Sequence, residues 1–331
     1  MRVAVVGAGS WGTTLANLLA HRGHEVGIWA REPEVVESIN RYHVNELYLA
    51  NRPLHQGLVA HREIPGTVRG AELIVSAAPS HAVRTVSADV AKAVTGQPIV
   101  VRVSKGIEEG SLARMSAVLE ETLPDLSIVA LSGPTFAQEV YERQPTAVVA
   151  ASTDPTAAEL VQQAFSTATF RAYTSADVIG VELGGALKNV IALAAGILEG
   201  MGLGHNPRAA LITRGLAETT RLGEALGAEA ATFAGLAGMG DLLLTATGQL
   251  SRNRSLGVEL GKGRSLAEVL AERRTVAEGV HTARAAVELG RRTGVELPIA
   301  SEVSQILFEG KAPRRAIADL MERELKAEHW R

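Results

Sequence analysis

The stretch MRVAVVGAGSWG, residues 1–12, decides the fold of this chain, because an apolar strand runs directly into a G-x-G-x-x-G motif that opens a helix. In that motif Gly7 permits a tight turn, Gly9 lets the backbone approach a pyrophosphate, and Gly12 lets the helix pack on the strand. The pyrophosphate then lies on backbone N–H groups at the positive end of the helix. An ordinary structural turn, the other interpretation, does not require this strand–turn–helix context. The stretch therefore predicts a dinucleotide-binding fold that begins at residue 2.

The rest of the chain falls into two parts of different pattern. Strand-like and helix-like segments alternate as far as residue 174, and helical periodicity dominates from Ser175 onward. The alternation predicts an α/β fold: βαβ units that form a doubly wound parallel Rossmann sheet with helices on both faces. We therefore predict an NAD(P)-binding Rossmann domain, residues 1–174, and an all-α domain for substrate binding and dimerisation, residues 175–331. A length of 331 residues fits two such domains.

The end of the second strand bears on the choice of cofactor. It reads Ile28-Trp29-Ala30-Arg31, whereas a protein that uses only NAD usually has Asp or Glu at that point to hold the ribose 2′-hydroxyl. The planar fork of Arg31 suits a 2′-phosphate instead. We therefore expect NADPH to be accepted. Glu32 and Glu34 are close enough in sequence that NADH is expected to be possible as well.

The composition excludes several classes of protein. The absence of cysteine excludes disulfides, thiolate metal sites and mechanisms with a cysteine nucleophile, such as that of some UDP-sugar dehydrogenases. A formal net charge of −3 offers no bulk attraction for nucleic acid or an anionic membrane. The histidines lack metal-ligand spacing, so no metal is expected.

The chain also lacks the sequence signals of a membrane or secreted protein. The longest apolar run, around Val190–Leu198, is well short of the roughly 18 residues that a spanning helix needs, so no membrane insertion is expected. The first residues have neither the apolar core nor the cleavage site of a secretory signal. We expect a cytoplasmic protein.

Polar side chains occupy several positions that packing does not require. The segments 103–106, with Lys105, and 132–137 follow strands, at the edge where open α/β sheets bind ligands. Lys188 lies inside a strongly apolar helical segment, and an unpaired buried ammonium is costly, so this lysine needs a partner or a function. The alternative is a side chain that extends to the surface.

Two later motifs add a carboxylate and a candidate anion site. Asp241 follows a glycine-rich turn, and Ser251 is a predicted helix N-cap. Arg252 and Asn253 then begin the helix, so that their side chains and the helix end together favour an anion. Arg254 is expected on another face of that helix, exposed to solvent.

These motifs, taken in order, resemble the bacterial type of NAD(P)-dependent glycerol-3-phosphate dehydrogenase. The matching segments span nearly the whole chain: GAGSWGTTLA (7–16), VSKGIE (103–108), SGPTFA (132–137), GALKNVIALAAGILEGMGLGHN (185–206), GLAGMGDLLLTATGQLSRNRSLG (235–257) and TVAEGVHTA (275–283). Thr135 stands where the family often has Ser, which keeps the hydroxyl. Residues 49–55 match the family poorly, so no contacts are assigned there.

The resemblance implies a Rossmann domain followed by an all-α domain similar to that of 6-phosphogluconate dehydrogenases. It implies an oxidoreductase that reversibly reduces dihydroxyacetone phosphate to sn-glycerol 3-phosphate, the backbone of phospholipids. With the glycine motif included, the expected NADH or NADPH contacts are Gly7, Gly9, Ser10, Trp11, Gly12, Arg31, Lys105, Ala137, Arg252, Val276 and Glu278. The expected substrate contacts are Lys105, Gly133, Thr135, Lys188, Asp241, Ser251, Arg252 and Asn253.

In this interpretation Lys188 is the catalytic acid and base. As an ammonium it gives its proton to the substrate carbonyl oxygen while hydride arrives from the nicotinamide. Two alternatives remain open on the sequence: another lysine-dependent NADPH reductase of a small keto or hydroxy acid, such as a ketopantoate-type enzyme, and a non-catalytic dinucleotide sensor. The long apolar helix at 179–198 further predicts a homodimer, in which the helical domain buries surface against its twin.

Overall fold

The structure, a computed structural model, describes residues 1–272, 277–325 and 327–328. The chain divides into two compact units. The N-terminal unit comprises Met1–Glu108 and Ala113–Val178, and the helical unit comprises Glu109–Leu112 and Ile179–Arg331. The division after Val178 falls four residues beyond the boundary expected from the sequence, because the last strand runs to Ser175 and the next helix begins only at Val178.

The N-terminal unit is built on one sheet. Within residues 1–178, all of which are described, the strands are β1 (Arg2–Val6), β2 (Glu25–Trp29), β3 (Val59–His61), β4 (Leu73–Ser76), β5 (Ile99–Arg102), β6 (Ile128–Ser132), β7 (Thr146–Ala151) and β8 (Phe170–Ser175). Their order is β3-β2-β1-β4-β5-β6-β7-β8. The first six follow the strand order of a Rossmann fold, so the predicted fold is confirmed.

The prediction of a wholly parallel sheet is wrong at one place. Strands β1 to β6 are parallel, but β7 pairs with β6 in the antiparallel direction, and β8 is parallel to β7. Only a five-residue helix, Ala137–Tyr141, lies between β6 and β7. It rises about 7.5 Å, less than half the roughly 17 Å length of a five-residue strand, so it does not carry the chain back for a parallel return.

Both faces of this sheet are covered, as a doubly wound fold requires. Along β1 the side chains alternate: Val3 and Val5 belong to one buried apolar cluster, and Ala4 and Val6 to another. The helices of the unit are α1 (Ser10–His21), α2 (Pro33–Tyr42), α3 (Ile64–Val68), α4 (Val83–Ala91), α5 (Met115–Thr122), α6 (Ala137–Tyr141) and α7 (Pro155–Phe165), with a 3₁₀ turn at Ser80–Ala82.

The described residues of the helical unit from Val178 onward contain helices and no strand, which confirms the all-α prediction. The helices are α8 (Val178–Gly200), α9 (His205–Ala225), α10 (Ala230–Phe233), α11 (Asp241–Thr247), α12 (Arg252–Gly261), α13 (Leu266–Ala271), α14 (Glu278–Thr293), α15 (Pro298–Phe308) and α16 (Pro313–Met321). A π-helical segment, Leu236–Gly240, leads into α11.

Two helical stretches of the described residues, Val178–Gly200 and Ala230–Thr247, are long and apolar enough to cross a membrane by length and composition alone. Over its most apolar part, α8 is 89% buried in the protein, and the second stretch is 39% buried. Burial of that extent is typical of a core helix, so α8 gives little indication of a membrane span. The apolar surface of α8 is therefore largely covered within the chain.

Helices α8 and α12 pack with their backbones in contact. Gly196 and Gly200 lie one turn apart on α8, and Gly257 and Gly261 do the same on α12. A Cβ added at any of the four would overlap a backbone oxygen of the opposite helix. This glycine contact brings the start of α12, with its predicted anion-binding residues, against the helix that carries Lys188.

Candidate active site

The glycine motif after β1 has the geometry of a pyrophosphate cradle. Gly7 has φ +123°, and a Cβ there would lie 2.7 Å from the backbone of Ala77. A Cβ at Gly12 would overlap the carbonyl oxygen of Gly7, whereas a Cβ at Gly9 would meet no atom within 4 Å. Gly7 and Gly12 therefore serve packing, and Gly9 faces open space. No side chain caps the first turn of α1, which leaves its N–H groups for an anion.

Residues within this motif are held by the loop that follows α2. Ser10 Oγ donates to the carbonyl oxygen of Tyr48 at 2.5 Å, and Trp11 packs against the buried core. The buried Asn45 side chain donates to the carbonyl oxygen of Ala8 at 2.9 Å. The loop therefore holds the glycine motif through Tyr48 and Asn45, and the sequence predicted no role for Tyr48.

A charged cluster lies just beyond β2. Arg31 donates through Nε and Nη2 to Glu32 Oε1, at 3.1 and 2.7 Å, and the Tyr48 hydroxyl donates to the same oxygen at 3.2 Å. The hydrogen bonds to Glu32 raise the pKa of Arg31. Burial, together with the Glu32 charge, raises the pKa of the Tyr48 phenol. The guanidinium expected to meet a 2′-phosphate is thus already paired with a carboxylate.

Three of the predicted residues meet at the carboxyl ends of β5 and β6. Lys105 Nζ donates to the carbonyl oxygen of Gly133 at 3.1 Å, and Thr135 Oγ1 donates to the same oxygen at 3.2 Å. Gly133 has φ +147°, and a Cβ there would lie 2.9 Å from the Val148 backbone, so only glycine fits. Ala137 begins α6 close by, and its carbonyl oxygen accepts a hydrogen bond from Thr14 of α1 at 3.2 Å.

In the helical unit, Lys188 is buried and paired. Its Nζ donates to Asp241 Oδ1 and, at 2.8 Å, to Thr245 Oγ1. Only 6% of Lys188 and none of Asp241 is exposed. The Thr245 hydroxyl in turn donates to the Asp241 carbonyl oxygen at 2.7 Å, which turns its lone pairs toward the ammonium. The alternative in which Lys188 extends to the surface is wrong.

Glycines let the chain bring Asp241 to Lys188. A Cβ at Gly184, one turn before Lys188 on α8, would lie 2.6 Å from the carbonyl oxygen of Ala237. The π-helical segment therefore packs directly against the α8 backbone and delivers Asp241 as the first residue of α11. Segments of this type are frequent at functional sites.

The start of α12 carries the candidate anion site. The buried Ser251 is its N-cap and accepts a hydrogen bond from the Arg254 N–H at 3.2 Å, which confirms the predicted cap. Arg252 is exposed, at the first position of the helix. Asn253 is buried: its Nδ2 donates to Asn189 Oδ1, and its Oδ1 accepts from the Gly279 N–H, both at 2.9 Å. Because Asn189 follows Lys188, this network adjoins the lysine.

The last two predicted cofactor contacts lie before and within α14. Glu278 is the first residue of this helix and is half-buried. Its neighbour Gly279 bonds Asn253, so Glu278 lies beside the asparagine network. Val276 lies outside the described residues.

Comparison with known proteins gives the family. A model of the NAD-dependent glycerol-3-phosphate dehydrogenase N-terminus matches residues 2–158, and a model of the C-terminus of the same family matches residues 177–318. The glycerol-3-phosphate dehydrogenase (NAD(P)+) of Geobacter sulfurreducens is 54% identical over 332 residues, which cover 99% of both proteins. The chain belongs to the glycerol-3-phosphate dehydrogenase family.

Other relatives agree with this assignment. The Myxococcus xanthus protein of the same name is 52% identical over 331 residues, covering 99% of both chains. The crystal structure of glycerol-3-phosphate dehydrogenase from Coxiella burnetii has a TM-score of 0.93 at 36% identity, over 97% of this chain and 98% of that one. The chain is therefore an NAD(P)-dependent oxidoreductase, and its N-terminal unit binds NADH or NADPH.

For this family member one surface prediction is wrong. Arg254 is not a solvated side chain: it is 14% exposed and pairs through Nη2 and Nε with the two carboxylate oxygens of Glu199, at 2.7 and 2.9 Å. Glu199 lies near the end of α8, and the glycine contact between α8 and α12 brings the two side chains within reach. Arg254 therefore joins α12 to α8 through this ion pair, and Arg252 is the exposed cation at the start of α12.

Sequence reasoning also missed members of the site. Thr245 lies four residues after Asp241, so that a helix over this segment would have placed both on one face. Asn189 follows Lys188 directly, but its bond to Asn253 joins positions 64 residues apart, and no local pattern indicates it. Among the described residues no group of three His, Asp or Glu could hold a metal, and the expectation of a metal-free site stays a prediction.

Proposed function

We propose that this family member reversibly reduces dihydroxyacetone phosphate to sn-glycerol 3-phosphate with NADH or NADPH, and that Lys188 is its catalytic acid and base. The observation that carries the proposal is the buried ammonium of Lys188 with its two fixed acceptors, Asp241 and Thr245. These acceptors hold the ammonium in one orientation, so that a proton of Nζ is directed at a substrate carbonyl oxygen. In the reverse direction the neutral amine takes the proton of the substrate hydroxyl.

The phosphate of the substrate is assigned to the start of α12. Arg252 offers the paired N–H donors that suit a phosphate, and the helix N-terminus adds its dipole. The amide nitrogen of Asn253 has two hydrogens, of which Asn189 takes one, so the other remains for a phosphate oxygen. Ser251 contributes its hydroxyl hydrogen, because its oxygen is the acceptor in the helix cap. The proposal adds Lys105, Gly133 and Thr135 to the substrate contacts on the strength of the family motif.

The N-terminal unit fits a dinucleotide. The open space over Gly9 and the uncapped first turn of α1 suit a pyrophosphate, with Ser10, Trp11 and Gly12 around it. Arg31 is assigned to the ribose, and Lys105, Ala137, Arg252, Val276 and Glu278 to the remaining cofactor contacts. The bound nicotinamide supplies the hydride.

The rival functions have less support. The substrate of a ketopantoate-type reductase has a two-oxygen carboxylate, whereas the cation, cap hydroxyl and amide at the start of α12 form a donor set that suits the three terminal oxygens of a phosphate. A non-catalytic dinucleotide sensor has no need of a buried lysine held between a carboxylate and a hydroxyl, since such a charge is costly to bury.

The test is a comparison of substrates with a variant of the phosphate site. Oxidation of NADH and NADPH is followed with dihydroxyacetone phosphate, dihydroxyacetone and ketopantoate. We expect rapid turnover only with the phosphorylated ketone, and Arg252→Ala should lose most of that turnover while the slow reaction of the bare ketone barely changes. Arg314→Ala, which removes an exposed arginine of α16, is the matched control. Equal losses on both ketones at saturating cofactor would mean that Arg252 does not bind the substrate phosphate, and preference for ketopantoate would refute the proposed substrate.

Three further properties belong to the proposal. We place the protein in the cytoplasm, in keeping with a sequence that contains no cysteine and so needs no oxidising compartment. We assign the product to phospholipid biosynthesis, because glycerol 3-phosphate is the backbone of those lipids. We propose a homodimer, the commonest oligomer of soluble proteins.

A further inference from the structure

The residues beyond β2 combine two features that usually belong to different proteins. Rossmann proteins that bind NAD hold the ribose 2′-hydroxyl with an acidic residue about 20 positions after the glycine motif, and those that bind NADP use a nearby arginine for the 2′-phosphate. Glu32 lies 20 residues after Gly12, and Arg31 precedes it. The two side chains are bonded to each other, with 2.7 Å between Nη2 and Oε1.

The burial of the two side chains is unequal. The Glu32 side chain is 20% exposed, whereas that of Arg31 is 80% exposed. Tyr48, whose backbone is tied to Ser10 in the pyrophosphate cradle, donates its hydroxyl to Glu32. Glu32 is therefore the fixed member of the pair and Arg31 the member that can move. The hydrogen bonds from Arg31 and Tyr48 to the Glu32 side chain all end on Oε1, and no described residue donates to Oε2.

We propose that Glu32 is a specificity-determining residue, which favours NADH and opposes NADPH, so that the Arg31–Glu32 pair lets one site use both cofactors. The inference rests on the proposed contact of Arg31 with the cofactor ribose. With NADH, the Glu32 carboxylate accepts a hydrogen bond from the 2′-hydroxyl while Arg31 stays paired. With NADPH, Arg31 has to exchange the carboxylate for the 2′-phosphate, and the phosphate then faces the negative charge of Glu32.

The test measures equilibrium binding of NADH and of NADPH to the free protein by nucleotide fluorescence. Glu32→Gln keeps the shape of the side chain and removes its charge. We expect it to strengthen NADPH binding and weaken NADH binding, so that the ratio of the two Kd values shifts toward NADPH by about tenfold or more, the size expected for a hydrogen bond to a charged group.

Glu34→Gln is the matched control, because Glu34 is an exposed carboxylate two residues further on that forms no hydrogen bond with Arg31 or Tyr48. Its Kd ratio should stay within about twofold of the wild type, as for a surface charge screened by solvent. If Glu32→Gln leaves the ratio unchanged, or if Glu34→Gln shifts it equally, Glu32 does not determine specificity and the proposal is wrong.

A second variant keeps the test valid if Glu32→Gln does not fold. Tyr48→Phe leaves the carboxylate in place but removes the hydroxyl that holds it, and the ratio should shift toward NADPH by a smaller factor; an unchanged ratio would contradict the fixed role of Glu32. Binding needs no turnover, so this inference can fail while dihydroxyacetone phosphate is still reduced. Equally, an enzyme that rejects this ketone would refute the proposed function and leave the cofactor inference standing.

Discussion

At the side chain of Lys188 a positive charge is enclosed by a carboxylate and a hydroxyl, and two chemical roles are compatible with that arrangement. The ammonium either transfers a proton to the carbonyl oxygen or polarises it as a fixed charge. Asp241 and Thr245 accept two of its hydrogens and hold the ammonium in a fixed orientation.

Lys188→Arg separates the two roles, because arginine keeps the charge but stays protonated at any working pH. If Lys188 transfers the proton, kcat should fall by about 10²–10⁴-fold, the usual contribution of general acid–base catalysis. The rise of glycerol 3-phosphate oxidation with pH should disappear in the variant, while its Kd for NADPH stays unchanged. Lys262→Arg, at an exposed lysine of the same unit, is the control. Near-normal turnover of Lys188→Arg would leave the lysine as an electrostatic anchor.

For single residues, the sequence predicts which side chains have a chemical role better than it predicts their partners. Lys188 stands out because an ammonium is unexpected in an apolar helix, and Ser251 because a hydroxyl before a helix is a cap. Thr245 and Asn189 do not stand out in this way, because each is an ordinary residue for a helix. Their partners are distant in sequence: Lys188 is 57 positions from Thr245, and Asn253 is 64 positions from Asn189. The prediction that Arg254 is exposed fails for the same reason: its partner Glu199 is 55 residues away, and the α12 sequence gives no sign of it.

Among the elements, the start of α15 depends on a carboxylate from another helix. The buried Glu218 of α9 accepts hydrogen bonds from the N–H groups of Ile299 and Ala300, at 2.9 and 3.4 Å. It therefore caps α15 from 81 residues away in sequence, in the absence of a side-chain cap at Leu297. Burial outweighs these bonds and raises the pKa of Glu218 from its usual value of 4.5 to about 7.

This pKa predicts a pH dependence of stability. The folded protein holds a proton on Glu218 that the unfolded chain has lost, so the contribution is complete below about pH 4.5 and is lost as the pH rises through 7. The free energy of unfolding should fall by about 3 kcal/mol across that window from this group. Glu218→Gln should remove that fall in urea unfolding, and Glu224→Gln, exposed on the same helix, should keep it. A slope that persists in Glu218→Gln would show that other groups cause it.

The backbone contact between α8 and α12 predicts the effect of a single methyl group. Gly257→Ala would drive its Cβ into the Leu193 carbonyl oxygen, so the helices have to separate. Overpacking of this kind typically costs about 1–3 kcal/mol and outweighs the roughly 1 kcal/mol that alanine gains over glycine in a helix. Gly204→Ala, where a Cβ meets nothing within 4 Å and only the N-cap of α9 is affected, should cost less, about 0.5–1 kcal/mol. Equal stability of the two variants in urea unfolding would refute the close contact.

The element pattern was predictable where periodicity is strong. The strand–helix alternation as far as residue 174 and the helices after Ser175 are both confirmed, and the apolar helix expected at 179–198 is α8, Val178–Gly200. The short β3 was missed because three residues at the sheet edge, with Val59 exposed, have no period to detect. The predicted direction of β7 is wrong because strand direction depends on the length of the connection between β6 and β7, and periodicity does not indicate that length.

For the whole molecule, the prediction concerns its oligomeric state, which we propose to be a homodimer. We expect light scattering at micromolar concentration to give twice the chain mass of 34.8 kDa. Because α8 is buried, the contact surface has to come from exposed apolar side chains elsewhere, and Leu203, Leu243 and Leu250 of the helical unit are candidates. Leu243→Asp should weaken the dimer, whereas Met321→Asp, at an isolated exposed position, serves as a comparison. A wild-type protein that scatters as a monomer would refute the dimer.

The four glycines between α8 and α12 also determine the length of substrate that the site accepts. Helices that touch through their backbones cannot be spaced more widely by choosing another rotamer, so the separation of Lys188 from the start of α12 is set by the main chain. On the proposed assignment, carbonyl oxygen and phosphate are both engaged only when the number of carbons between them matches that separation. A phosphorylated ketone with one additional methylene should therefore bind through its phosphate and inhibit competitively, while its carbonyl stays out of reach of the lysine and is scarcely reduced.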